Sequence, residues 1–193
     1  MKIVDGLSLS AEHRALLRPG ELLPDTRGGV HRLPRYFYEV GSWEQAKNIK
    51  LTLHFTLAEL MSVDRGEADL LLRSFPHYVP CAVSILARYL QELRNRVEAP
   101  TSVSVNGGYR SPSHRLGRPR ASKHHWGTAA DVFRIGDNWL DSQKSIEKYA
   151  QIAESIGPEV FVRRFGNGLG ETDDHLHLDI GFVTLVPDGY SEF

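Results

Sequence analysis

The chain predicts an α+β fold, a small and largely antiparallel sheet flanked by helices, on three observations. Two stretches repeat apolar residues at three- and four-residue steps, as helices do. Short alternating or β-branched runs lie between and after them. Helices come first along the text, and strands then interleave with one more helix.

Taken in order, residues 1–50 carry turn signals at Pro19-Gly20, Pro24-Asp25 and Gly28-Gly29. They are expected to form an irregular arm packed on a domain that fills 51–193. Thr56-Leu57-Ala58-Glu59 has capping-box spacing, with Leu57, Leu60 and Met61 apolar behind it. A helix is expected over about Val79–Val97, where Val83, Leu86, Leu90, Leu93 and Val97 share one face. Pro80 suits its first turn and Pro100 lies just beyond its end. Another is expected over Ser142–Ile156, with Asp141 as N-cap and Gly157-Pro158 as the stop. The strand candidates are Ser102–Asn106, Ala129–Ile135, Glu159–Arg163 and His175–Phe182.

Composition narrows the chemistry. The 193 residues suit one domain with a sizeable core. A formal net charge of −1 gives no bulk attraction to a polyanion, which disfavours a nucleic-acid partner. A DNA-associated protein would have to rely on the short basic stretch within Ser113–Ala121. The single cysteine, Cys81, excludes an intrachain disulfide and a CxxC metal site, and reads as a small buried residue. Any metal is therefore held by nitrogen and oxygen. The N-terminus meets a charge at once and shows no signal-peptide core, and no stretch has the length of a membrane span. A cytoplasmic location is expected on that basis.

Nine histidines are present, and four of them sit in two tight groups. In a strand, alternate side chains share a face, so His175, His177 and Asp179 point one way and Leu176, Leu178 and Ile180 the other. The second group reads Ser122-Lys123-His124-His125-Trp126-Gly127-Thr128-Ala129-Ala130-Asp131. Gly127 and the small residues after it permit a tight turn into a strand that carries Asp131. Either group alone is more often a polar surface than a site. Two imidazoles and one carboxylate together are a standard donor set for one catalytic zinc ion with water in the fourth position. Such a set points to hydrolysis.

These residues, Ser122-Lys123-His124, Gly127, Ala129 and Asp131 with the late His175-Leu176-His177, resemble the zinc D-Ala-D-Ala metallopeptidases. That family includes VanX- and VanY-type enzymes and L-alanyl-D-glutamate endolysins of phages, and shares its fold with the hedgehog signalling domain. Gly108-Tyr109-Arg110-Ser111-Pro112 and Phe55-Thr56-Leu57-Ala58-Glu59-Leu60 match two further family segments, so the resemblance runs from about Phe55 to Gly181. It implies a hedgehog/DD-peptidase-like fold and one Zn2+ ion held by His124, Asp131 and His177. It makes His175 the general base, with Asp174, three residues before His177, as the alternative. Strand parity favours His175 unless a bulge intervenes. Arg110 matches the arginine that steadies the substrate carbonyl and oxyanion, and Ser122 a substrate-contacting serine. His125 is the wrong-register alternative to His124, and Trp126 is expected to pack rather than line the site. The implied substrate is a peptidoglycan-derived peptide containing D-amino acids, cut in the manner of a D-Ala-D-Ala carboxypeptidase. The alternatives are an L-alanyl-D-glutamate endopeptidase of a phage-type lysin, or a non-catalytic metal-binding module of the same fold.

Overall fold

The computed structural model describes residues 1–61, 77–114, 119–168 and 170–189. It is a mixed α/β structure in which, among the described residues, the strands below pair antiparallel with one another. Residues 1–50 are not irregular. They form β1 (Lys2–Asp5), α1 (Ala11–Leu17), a hairpin of β2 (Leu22–Pro24) and β3 (Val30–Arg32), β4 (Tyr36–Glu39) and α2 (Trp43–Asn48). The turn signals were real, but they separate short elements. β4 lies between β1 and β5 (Tyr78–Pro80), so a strand from the later part of the chain completes this sheet. Leu17, Phe37, Val40 and Ala46 enter the same core as the rest of the protein.

β5 also corrects the start of the long helix. Tyr78, Val79 and Pro80 pair with β4, and α3 begins only at Val83 and runs to Val97. Pro80 sits on an edge strand, where its missing N–H costs no ladder bond, rather than in a helical turn. Leu86, Leu90 and Leu93 of α3 are fully buried, each worth roughly 1.5–3 kcal/mol against exposure. Cys81 is buried just ahead of this helix, and burial pushes its thiol up to about 12, as befits a packing residue. Thr56 uses both its N–H and its hydroxyl to reach the Glu59 carboxylate, each at 2.8 Å, and a 3-10 turn follows over Ala58–Leu60. The middle of the basic stretch, 115–118, lies outside the described residues.

A five-stranded sheet forms the second half. β6 (Thr101–Val103), β7 (Ala129–Ile135), β10 (Leu176–Asp179) and β9 (Phe161–Val162) lie in that order, and β8 (Asn138–Trp139) pairs with β7. Three of the four anticipated strands are shorter than expected. The run expected through Asn106 ends at Val103, just after its register shifts against β7, and Asn106 beyond it turns to a φ of 60°. Between them lie the one-turn helix α4 (Lys123–Trp126) and α5 (Gln143–Glu154). The cap of α5 is Ser142, not Asp141: its hydroxyl accepts from the Ser145 N–H, and Ser145 reciprocates. Ala130, Val132, Leu176, Leu178 and Val162 turn one face of the sheet to the core, where Ile146, Tyr149, Ala150 and Ala153 of α5 also lie. Asp131, His177 and Asp179 therefore lie on the opposite face. Among the described residues, no helix is long and apolar enough to cross a membrane.

Candidate metal centre

Strand register does the first part of the assembly. In the antiparallel β7–β10 pair, His177 lies directly opposite Asp131, flanked by the Leu176–Val132 and Leu178–Ala130 pairs. Directly opposed residues share a face, so the imidazole and carboxylate meet across the ladder, with His177 Nδ1 2.8 Å from Asp131 Oδ1. Both are buried.

The second part comes from α4. Gly127 ends this helix at a φ of 69°, a left-handed cap that glycine adopts without strain, and the chain turns from there into β7. His124 is thereby placed beside Asp131, its Nε2 3.5 Å from Oδ1. Its other nitrogen, Nδ1, donates to the Gly108 carbonyl at 2.8 Å. His125, one residue on, donates instead to the Arg110 carbonyl at 3.0 Å and is turned out of the cluster. Two neighbouring carbonyls thus choose between adjacent histidines. Trp126 is buried against Leu23 and Leu33, edge-on to Phe182, so it packs.

The Gly107-Gly108 segment has no room for side chains. A Cβ on Gly108 would fall 2.3 Å from the Leu60 carbonyl oxygen, and one on Gly107 would fall 2.8 Å from that of Asp131. Glycine lets the backbone slide between Leu60 and the metal-site strand, with Tyr109 N–H donating to Leu60 at 2.7 Å and Asp131 N–H to Gly107 at 2.8 Å. Arg110 then emerges with its guanidinium 3.6 Å from the second oxygen of Asp131. Ser122 occupies the N-cap position of α4, partly exposed, two residues before His124.

His175 lies just before β10 and is a quarter exposed, at the mouth of the cluster. Its Nε2 is 3.3 Å from Asp131 Oδ1, while Nδ1 bonds the carboxylate of Asp174. Asp174 itself points mostly to solvent. The two candidates for a base are therefore arranged in series: His175 faces the cluster and Asp174 stands behind it.

Asp179 has a place that its residue type alone does not announce. It is buried and accepts from His177 Nε2 at 3.2 Å and from the Gly181 N–H at 3.0 Å, with Lys123 Nζ 3.8 Å away. Strand parity was the available signal, since it puts Asp179 on the face of His177.

The electrostatics are consistent with a cation site. Burial pushes the His124 imidazole down to about 4, only partly offset by Asp131, so it is neutral at pH 7. Burial alone would raise the Asp131 carboxyl, but His124, His175 and His177 hold it well below the usual range. Burial would lower His175, yet its bonds to Asp131 and Asp174 raise it.

The donor set fits zinc. With Nδ1 of neutral His124 committed to a carbonyl, Nε2 turns a lone pair toward an anionic carboxylate. One atom each of His124, Asp131 and His177 lies within 4.8 Å of the others. Such convergence of nitrogen and oxygen donors on one buried point is the arrangement that a cation completes. Three protein ligands leave a fourth position open, which is the catalytic rather than the structural pattern.

A family model described as Peptidase M15 matches residues 54–179, more than half of the chain and every residue of this cluster. No curated protein and no solved structure matches the chain.

Proposed function

The chain belongs to the peptidase M15 family of zinc D-Ala-D-Ala metallopeptidases, and on that premise we propose that it cuts D-amino-acid-containing peptides, peptidoglycan stem peptides, in the manner of a D-Ala-D-Ala carboxypeptidase. The observation that carries the reading is the buried His124, Asp131 and His177 cluster with His175 and Arg110 on its open side. The coarser conclusion, a metallopeptidase, follows from the family itself.

In the proposed reaction, His124, Asp131 and His177 would hold the zinc ion, with Nε2 of His124 and Nδ1 of His177 turned toward Asp131. When bound, zinc supplies a Lewis acid for the scissile carbonyl and lowers the pKa of the attacking water toward ~7. His175 takes a proton from that water at Nε2 and later returns it to the departing amine. Asp174 accepts the Nδ1–H of His175, which keeps the Nε2 lone pair turned inward and stabilises the imidazolium once it forms. Arg110 donates to the carbonyl oxygen as negative charge develops there, a task suited to a fork of permanently charged N–H groups. Ser122, at the head of α4, contacts the substrate backbone beside His124. Completeness of this set supports an enzyme over a binding module that keeps only the metal.

The fold belongs to the same reading. We assign the antiparallel sheet with its flanking helices to the hedgehog/DD-peptidase type, residues 51–193 to catalysis, and residues 1–50 to a segment packed on them. The peptidoglycan-derived peptide is the only partner the reading requires.

The test incubates the purified protein, with measured zinc content, with muropeptides and follows the products by mass spectrometry. Loss of a terminal D-Ala that depends on zinc is expected. Cleavage between L-Ala and D-Glu would replace the carboxypeptidase assignment with the endopeptidase one. A zinc-loaded protein that leaves every muropeptide intact would overturn the catalytic reading.

A further inference from the structure

We infer that Asp179 is a positioning residue for the metal: it fixes the proton of His177 on Nε2 and so reserves Nδ1 for zinc. The inference rests on the zinc reading above and deepens it.

An imidazole binds a metal through one nitrogen only if the proton sits on the other. His177 is flanked by a carboxylate on each side, Asp131 at Nδ1 and Asp179 at Nε2, at 2.8 and 3.2 Å. When the ring carries one proton and Asp179 is absent, that proton is drawn to Nδ1, where Asp131 accepts it. The ring would then present an N–H to the place the cation must occupy. Asp179 supplies the competing acceptor. It is buried to 2% exposure, and it lies two residues along the same strand, where parity aims it alongside His177.

The carboxylate is also fixed in orientation. Oδ1 accepts the Gly181 N–H at 3.0 Å, which leaves Oδ2 for the imidazole. Lys123, one residue before His124, brings its ammonium to 3.8 Å from Oδ2 and neutralises the buried charge. That ammonium lies over the Phe182 ring, with Nζ 4.9 Å from the centroid, a cation–π contact that favours its position on this side of the sheet. His124 is oriented by a neutral carbonyl, Gly108, and His177 by a charged carboxylate. Both ring nitrogens of each histidine are thereby committed, one to the protein and one to the metal.

Asp179→Asn separates this role from packing, because it changes no volume. The Gly181 N–H retains the amide oxygen, so the amide NH2 faces His177 Nε2. A donor there forces Nε2 to accept and moves the ring proton to Nδ1. The Lys123 side chain is a third exposed, so solvent is within its reach once the carboxylate is gone.

The experiment measures zinc affinity by chelator competition, and the His177 tautomer by nitrogen NMR of the zinc-loaded protein. In the unsubstituted protein an Nε2–H of His177 in a hydrogen bond is expected. In Asp179→Asn the metal-free protein should melt close to the unsubstituted one while zinc affinity falls ~10–100-fold, the range for a lost partner of a metal-bound histidine. An Asn variant that binds zinc as tightly as the unsubstituted protein would overturn the role of Asp179 and leave the zinc reading standing. So would His177 of the unsubstituted protein found with its proton on Nδ1, a result that requires no variant to fold. Failure of the unsubstituted protein to bind zinc at all would overturn both.

Discussion

Replacing Gly108 by Ala tests how the backbone builds the metal centre. The added Cβ would stand 2.3 Å from the Leu60 carbonyl oxygen, 2.6 Å from its carbon and 2.8 Å from its Cα. All three are backbone atoms, so no side-chain rotation relieves the contact, and separation to van der Waals distance requires a shift of about 1 Å. Overpacking of this kind costs ~1–3 kcal/mol, and the rigid neighbour argues for the upper end. At ~2–4 °C per kcal/mol for a chain of this size, the midpoint should fall by ~5–10 °C. The same carbonyl accepts Tyr109 N–H, and the Gly108 carbonyl holds His124 Nδ1, so the shift passes to the metal site. Zinc affinity should drop ~10–100-fold. Gly20→Ala is the control. Gly20 has a φ of 76° with nothing within 4 Å of its Cβ position, so it should lose ~1–2 kcal/mol to left-handed strain and bind zinc normally. Thermal denaturation of the metal-free proteins and chelator competition supply both readouts. A Gly108→Ala protein that melts within a degree of the parent and holds zinc equally well would refute the argument.

Three further outcomes follow from the same geometry. His177→Ala should lose zinc and activity together, checked by metal analysis after desalting, because the ladder then offers Asp131 no opposing nitrogen. His175→Ala should retain zinc and lose turnover by ~10²–10⁴-fold, the usual worth of a general base; full activity there with a dead Asp174→Ala protein would reverse the two roles. Arg35 donates through two nitrogens to Asp5, at 2.9 and 2.7 Å, and chiefly through this bond holds the Asp5 carboxyl below its ordinary value. A depressed folded-state pKa stabilises above the unfolded value and is lost as pH falls through the folded one. Denaturation should therefore show Arg35→Ala less stable by up to ~1 kcal/mol at pH 6, with the gap closing below about pH 4.

Much of the candidate site was legible in the text because its parts are local. His124, Gly127 and Asp131 fall within eight consecutive positions, and one strand carries His177 and Asp179. Over such spans, 3.6-residue and two-residue periodicities dictate which side chains share a face. The same locality made the apolar stripes of α3 and α5 readable. The N-terminal fifty residues were not readable in this way. Their strands are three or four residues long, and β1 and β4 exist because Lys2 pairs with Glu39 and Phe37 with Pro80, partners far away in sequence. So short a run has too little periodicity to reveal a strand whose partner is unknown. The same cause moved Pro80 from the helix into β5.

From residue pattern and spacing, then, came the α+β class and the pairing of two imidazoles with one carboxylate, while the resemblance to a known family supplied the donor triad, the candidate base and the arginine. Tertiary structure decided the rest. The carbonyls of Gly108 and Arg110 chose His124 over His125, the start of β10 set His175 in front of Asp174, and the β7–β10 register brought His177 against Asp131. Those choices depend on which backbone groups stand within hydrogen-bonding distance after long-range pairing. A residue's own neighbours in the chain carry no information about that.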